Sequence, residues 1–447
     1  MRERTRKALA LLLAVCMVLS LVPAAYAAPE NGTWQVPFTE VEDAQVLELR
    51  EPVEETTPET LYDANETVRV SIVLEEPSTL ERGYATADIV SNGGATAYRS
   101  GLQKGQETMA QTISRQALSG EELDVVWNLT LAANLISADV AYGDIEAIQA
   151  VLGVKKVILE IRYEPAVYAT GEADPNMATS GEMIGTSAAY AAGYTGAGMR
   201  IAVIDTGTDT DHKSFDADAF AYALAEDEKA SGEAYDLLDA AEIGAVLPQL
   251  NAYKRTLQNG KPTAATPTAE QLYGTAKLPF HYNYVDGDLD VTHDNDDQGE
   301  HGSHVAGIAT ANRYIKTEDG FVSALEAVKV QGVAPDAQLI TMKVFGKNGG
   351  AYDSDYMAAI EDAILLGCDV VNLSLGSSNP GNTYNETYQS FLEQLKETDT
   401  VVAVAAGNAG TWADGAWNGH LYSDSVSLDM VGSPGSYTNS FTVASAD

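Results

Sequence analysis

Three short strings in this chain carry side chains suited to acyl-transfer chemistry. Val203-Ile204-Asp205-Thr206-Gly207 puts a carboxylate at the end of an apolar run. His301-Gly302-Ser303-His304-Val305-Ala306-Gly307 puts an imidazole where a helix should begin. Ala405-Ala406-Gly407-Asn408 puts a side-chain amide after a second apolar run. A carboxylate can orient an imidazole and stabilise its protonated form, and the imidazole can then serve as general base. An amide can donate to an oxyanion, and losing such a donor costs about 3–4 kcal/mol of transition-state stabilisation. In chain order these residues read as orienting acid, general base and oxyanion donor. A hydroxyl nucleophile should follow. Yet Ser423, Ser425, Ser427, Ser433, Ser436, Ser440 and Ser445 all lack the glycine-rich turn and following helix that expose and activate a serine. The expectation is hydrolase chemistry whose nucleophile is missing from these 447 residues, so that the chain as given is inactive.

Each string also has a plainer reading. Asp205 would equally suit a turn cap, and Gly-Asn by itself is a turn dipeptide. His301 and His304 stand at i, i+3, which would suit a metal pair on one helical turn. The zinc-hydrolase string His-Glu-x-x-His is absent, which favours a basic His301 with His304 in packing. Gly302 beside the base suits a site where a substrate backbone passes closely. The acidic run from Asp286 to Asp297 offers oxygen ligands, but Val291 stands where an EF-hand needs glycine. The run reads as a solvated loop; no cofactor is required, and calcium is the one candidate ion.

The elements that must position these residues alternate between strand and helix. Apolar runs at 199–204, 338–344, 370–375 and 401–406 read as strands buried on both faces. Helical patterns at 303–312 and 353–366 lie between them. This is the signature of a parallel α/β sheet, with Asp205 at the carboxyl end of a strand, where such sheets place their sites. Residues 226–276 form a charged insertion, expected to be peripheral. Upstream, 67–165 reads β-α-β-β-α-β, a small ferredoxin-like α+β unit. Its last helix is expected to align Ile145, Ile148, Val151 and Leu152 on one face and to stop at Gly153. The connecting stretch 166–180 is irregular, and 28–66 is an acidic, Pro/Thr-rich leader.

Residues 1–27 read as a secretory signal: a basic start, an apolar run, and Ala25-Tyr26-Ala27 before cleavage. That run is too short for a membrane span, and no later stretch is long and apolar enough to cross a bilayer. Cleavage would leave Cys368 as the single cysteine, which precludes an internal disulfide and suggests a buried apolar role. The net charge of −39 argues against nucleic acid and anionic membranes as partners.

Taken together, Asp205-Thr206-Gly207, the His301 string, Val371-Asn372-Leu373-Ser374-Leu375-Gly376 and Ala405-Ala406-Gly407-Asn408 resemble, in order, the signatures of the subtilisin family of serine proteases. Ser303 departs mildly, since the family usually has threonine there. The finer likeness is to lactocepin-like cell-envelope proteinases, through Tyr282-Asn283-Tyr284-Val285-Asp286 and Gly432-Ser433-Pro434-Gly435. The resemblance implies a subtilisin-like catalytic domain over 181–447, incomplete at its end, preceded by an inhibitory propeptide at 67–165. It implies polypeptide substrates, an extracellular or cell-envelope location, Asp205 and His301 as triad residues, and Asn408 in the oxyanion hole. Ser374, Leu375 and Gly376 would line one substrate edge and Gly350, beside Gly349, the other. Gly185-Thr186-Ser187 imitates the family's serine motif, but it precedes Asp205 and lacks the proline. A secreted, non-catalytic decoy or peptide-binding relative is the alternative, and a metal hydrolase a distant third.

Overall fold

The computed structural model describes residues 62–163, 177–232, 234–258, 261–294, 296, 298–347, 349–376, 386–396, 398–407, 431–437 and 440–444. The expected signal peptide, most of the leader and Asn408 lie outside them. Residues 62–447 group as one compact unit.

The leading part contains β1 (Thr67–Leu74), α1 (Gly93–Gln116), β2 (Asp124–Leu129), β3 (Leu135–Ala141), α2 (Ile145–Gln149), β4 (Val154–Leu159) and the short β5 (Arg162–Tyr163). Its four-stranded sheet runs β2-β3-β1-β4, and every neighbouring pair is antiparallel. That is the ferredoxin-like order expected from the sequence. One detail differs. Helix α2 ends at Gln149, and Leu152, expected on its buried face, is 90% exposed. Gly153 does take a positive φ of 97°, so the chain reverses there into β4.

The larger part begins with α3 (Met177–Ile184) and α4 (Thr186–Ala191), separated at Gly185. Then follow β6 (Arg200–Asp205), α5 (Ala217–Ser231), α6 (Ala240–Val246), α7 (Asn251–Lys254), β7 (Phe280–Asn283) and α8 (His301–Thr310). Next come β8 (Gln338–Lys343), β9 (Ala351–Tyr352), α9 (Asp353–Leu365), β10 (Val370–Leu373), α10 (Glu386–Leu395), β11 (Val401–Ala405) and β12 (Phe441–Val443). One sheet runs β12-β11-β10-β6-β8-β7, parallel throughout.

Strand β6 lies near the middle of that sheet, and its alternation feeds two cores. Ala202 and Ile204 join Met357, Ile360 and Ala363 of α9. Val203 joins Ala306 of α8, with Phe215, Leu278 and Leu339. A run buried on both faces therefore needs a helix on each side, and α8 and α9 supply them.

Helix α9 is buried along its whole length, including Asp353, Ser354, Asp355, Glu361 and Asp362. Its apolar side meets the parallel sheet. Asp353, Ser354, Asp355 and Glu361 meet the leading part, so the helix lies in a seam between two sheets, while Asp362 meets the inserted segment. The inserted segment is not peripheral as expected: Leu238, Ile243, Leu250, Ala252, Ala269 and Leu272 are buried in the main core. Charged residues at its surface obscure an apolar set spaced for packing.

Candidate active site

Asp205 is the last residue of β6, and His301 is the first of α8. The two are brought together: His301 Nδ1 lies 2.5 Å from Asp205 Oδ1, with both side chains buried. Asp205 Oδ1 also accepts from the backbone N–H of Thr206 at 2.7 Å. The Thr206 hydroxyl accepts from Gly302 N at 2.9 Å, and Ser303 Oγ accepts from Asp209 N at 2.8 Å. The acid-bearing turn and the base-bearing helix are therefore sewn together on both sides of the Asp–His contact.

Gly302 has a different role from the one expected. A Cβ there would lie 2.0 Å from the carbonyl oxygen of Gly207. The backbone passing closely is the chain's own, not a substrate's. Gly207 is equally constrained, with a φ of 112° and Val291 O 2.2 Å from where its Cβ would be. These two glycines let the turn and the helix meet at backbone distance.

Lys343 was not singled out by sequence reasoning. It pairs in register with Asp205 and is 1% exposed. Its Nζ donates to Asp296 Oδ2 at 2.6 Å, Thr206 O at 2.6 Å and Thr292 O at 3.2 Å. This cation holds the Asp205 turn against the acidic loop. A lysine closing a strand that alternates little and is buried throughout is the one signal that could have marked it.

His301 and His304 do not form a metal pair. His301 is engaged by Asp205, whereas His304 lines a separate cavity of about 380 Å³ with His212 and His293. Among the described residues, no group of three or more His, Cys, Asp or Glu is arranged to hold a metal ion. In the acidic run, Asp286 accepts from Asn283 Nδ2 and Lys347 N, Asp288 from Asp290 N, and Asp290 from Thr292.

One of the expected substrate edges, that of Ser374, is close to the acid. Leu373 pairs with Ile204, so Ser374 and Asp205 are the next residues along two neighbouring strands. Ser374 Oγ accepts from Asn372 Nδ2 at 3.1 Å; Leu375 is buried and Gly376 half-buried. On the other edge, β9 is already paired: Ala351 with Tyr163 and Tyr352 with Arg162, antiparallel. Arg162 lies against Gly350, where a Cβ would be 2.2 Å from Arg162 Nε. Ser187 is exposed on α4 beside Gln331 and Gly332, in a groove that contains neither Asp205 nor His301.

The seam around α9 is dense in carboxylates. Asp353 accepts from Ile161 N at 2.7 Å and from the Tyr163 and Tyr356 hydroxyls at 2.8 Å each. Glu160 accepts from Ser71, Ser137 and Ser354. Trp127 Nε1 donates to Asp355 at 2.8 Å, and Glu361 Oε1 accepts from Leu131 N and Ala132 N. Burial pushes the Asp353 carboxyl up to about 7, and the Glu160 charge adds to the rise. Burial likewise raises Glu160 and Asp355. Cys368 is buried, and its thiol is pushed up by burial, as suits a packing residue.

A parallel α/β sheet with an Asp–His pair at its carboxyl edge defines a class of hydrolase fold, and comparison with known proteins specifies it. The subtilase family matches residues 196–447, more than half of the sequence, and the chain belongs to that family. The PII-type proteinase of Lacticaseibacillus paracasei is 30% identical over 320 residues, covering 70% of this chain and 14% of that protein. The PI-type proteinase of Lactococcus lactis subsp. cremoris matches with the same identity and coverage. Minor extracellular protease Vpr of Bacillus subtilis is 26% identical over 289 residues, covering 64% of this chain and 26% of its own length. The chain thus spans a small part of the relatives it matches. The solved epidermin leader peptide processing serine protease of Staphylococcus aureus aligns with a TM-score of 0.44 at 17% identity, over 86% of this chain and 70% of that one. The family assignment does not rest on that alignment. Among the described residues, no helix is long and apolar enough to cross a membrane.

Proposed function

We propose that the chain is the N-terminal part of a secreted serine endopeptidase precursor acting on polypeptides. The observation that carries this reading is the 2.5 Å contact between His301 Nδ1 and Asp205 Oδ1. With Nδ1 committed to the carboxylate, proton transfer falls to Nε2. His301 would take the proton of a serine hydroxyl and return it to the leaving amine. Asp205 would hold the imidazole in that orientation and stabilise its charge. Asn408 would donate to the oxyanion. Substrate would add as a strand along Gly350 on one side and Ser374-Leu375-Gly376 on the other.

In this reading the unit at 67–165 is an inhibitory propeptide. Support comes from the β5–β9 pairing, which occupies the edge a substrate would use. On the same reading the nucleophilic serine is not among the 447 residues, which alone would not hydrolyse peptides.

The test is fluorophosphonate labelling of two proteins, the 447-residue chain and the same chain extended along its reading frame. Labelling is expected only in the extended form, with loss in His301→Ala. Labelling of the 447-residue chain that disappears in Ser187→Ala would overturn the reading. A stop codon directly after Asp447 would favour the non-catalytic decoy.

A further inference from the structure

The inserted segment reaches the leading unit as well as the catalytic core, and its contacts there differ in kind from those at the substrate edge. The β5–β9 pairing is backbone to backbone and tolerates many sequences. The contacts of the insertion are made by side chains. Arg99 on α1 is 3% exposed, and its Nη1 donates to Gln249 Oε1 and its Nη2 to Gln249 O, each at 3.1 Å. The Glu361 and Asp362 carboxylates act on its charge from α9, and Lys254 is the further cation facing the same pair. Arg255 places its guanidinium 4.6 Å above the Trp127 ring of the leading sheet.

Glu361 joins the three parts. One of its oxygens accepts from Leu131 N and Ala132 N of the leading unit, and the other from Asn251 Nδ2 of the insertion. Asn251 N and Ala252 N donate to Asp362, which anchors the insertion on α9 whether or not the leading unit is present. Leu238 is further tied to Gln338 on β8 through its N–H and its carbonyl. The face presented to the leading unit is therefore held in place from behind, which lowers the ordering cost of binding.

We propose that residues 247–255 are a recognition surface for the chain's own leading unit. Arg99 and Trp127 are the side chains they read. This surface makes the catalytic unit select its own leading unit over those that lack this pair. The inference rests on reading the leading unit as a removable inhibitor.

The test uses the full chain with a site-specific protease sequence placed within residues 164–176. After cutting, release of the N-terminal fragment is followed by dilution and size-exclusion chromatography. The wild-type fragment is expected to remain bound for hours. Release should be about 10-fold faster in Gln249→Leu and up to about 100-fold faster in Arg99→Met, since both remove hydrogen bonds to a charged group. The double variant should release no faster than Arg99→Met, because both changes remove one interaction. Arg255→Met should give about 2- to 5-fold. Lys104→Met, exposed on the same helix, should release at the wild-type rate. If Arg99→Met fails to fold before cutting, Gln249→Leu, which is only half-buried, decides. Retention in wild type with unchanged release in Gln249→Leu would overturn the recognition surface while leaving the inhibitor reading intact. Immediate loss of the wild-type fragment would overturn both.

Discussion

Replacing Asp353 by asparagine should make the protein more stable at alkaline pH than the wild type. In the folded chain burial raises this carboxyl from 3.8 to about 7, with Glu160 adding a like charge. Between about pH 4 and pH 7 the folded protein therefore keeps a proton that the unfolded chain has lost. Stability is full near pH 4, falls as pH rises, and the loss is complete above about pH 7. Each pH unit is worth about 1.4 kcal/mol, so the ceiling is about 4 kcal/mol. Asparagine imitates the protonated acid. Its Oδ1 can accept from Ile161 N, and its Nδ2 can donate to the Tyr163 and Tyr356 hydroxyls, which can turn to receive it. Other buried groups titrate in both proteins, so the quantity to read is the difference between two urea-unfolding series from pH 4 to pH 8.5. The difference should start near zero and grow with pH in favour of Asp353→Asn. Parallel curves, or a variant that is weaker at pH 8, would refute the reasoning.

Lys343→Met would leave Asp296 buried without its cation, and denaturant unfolding should show a loss of about 3–5 kcal/mol. Gly302→Ala would press a methyl group into Gly207 O, costing about 1–3 kcal/mol, and NMR should show the His301–Asp205 proton resonance shifted or lost. Asp286, Asp288 and Asp290 accept from protein donors, so millimolar calcium should leave the thermal midpoint within about 1 °C; a larger rise would reveal an ion site.

Asp205 and His301 are legible in the sequence because each marks a boundary. An apolar run stops at Asp205, and a small-residue helix starts at His301, so their positions on the sheet edge follow from pattern alone. The strand core is legible for the same reason. Lys343 is not legible, because a lysine at a strand end ordinarily reaches water. It is buried here because Asp296, on a loop from another part of the chain, closes over it and the Thr206 and Thr292 carbonyls accept from it. The insertion misleads in the opposite direction. Its composition is charged, yet Ile243, Leu250 and Leu272 are spaced to pack, and only the fold supplies the surface they meet. Leu152 shows the limit of helical periodicity: the helix unwinds after Gln149, and the residue that should face inward faces solvent.

The polar side of α9 bears on how the two parts could separate. A helix held permanently between two sheets gains most from apolar residues on both sides, because burying carboxylates costs desolvation. Helix α9 follows that rule only toward the parallel sheet, with Met357, Ile360 and Ala363. Toward the leading unit it presents Asp353, Asp355 and Glu361, each satisfied by a donor from that unit: Ile161 N, Trp127 Nε1 and the Leu131 and Ala132 amides. When the units part, these carboxylates regain water, which offsets much of the lost hydrogen bonding. An apolar face of equal area would have no such compensation. Asp353 adds a direction, since its charge becomes harder to keep buried as pH rises. On the proposed function, the sheet side of α9 is suited to hold and its other side to let go, with alkaline conditions favouring release of the leading unit.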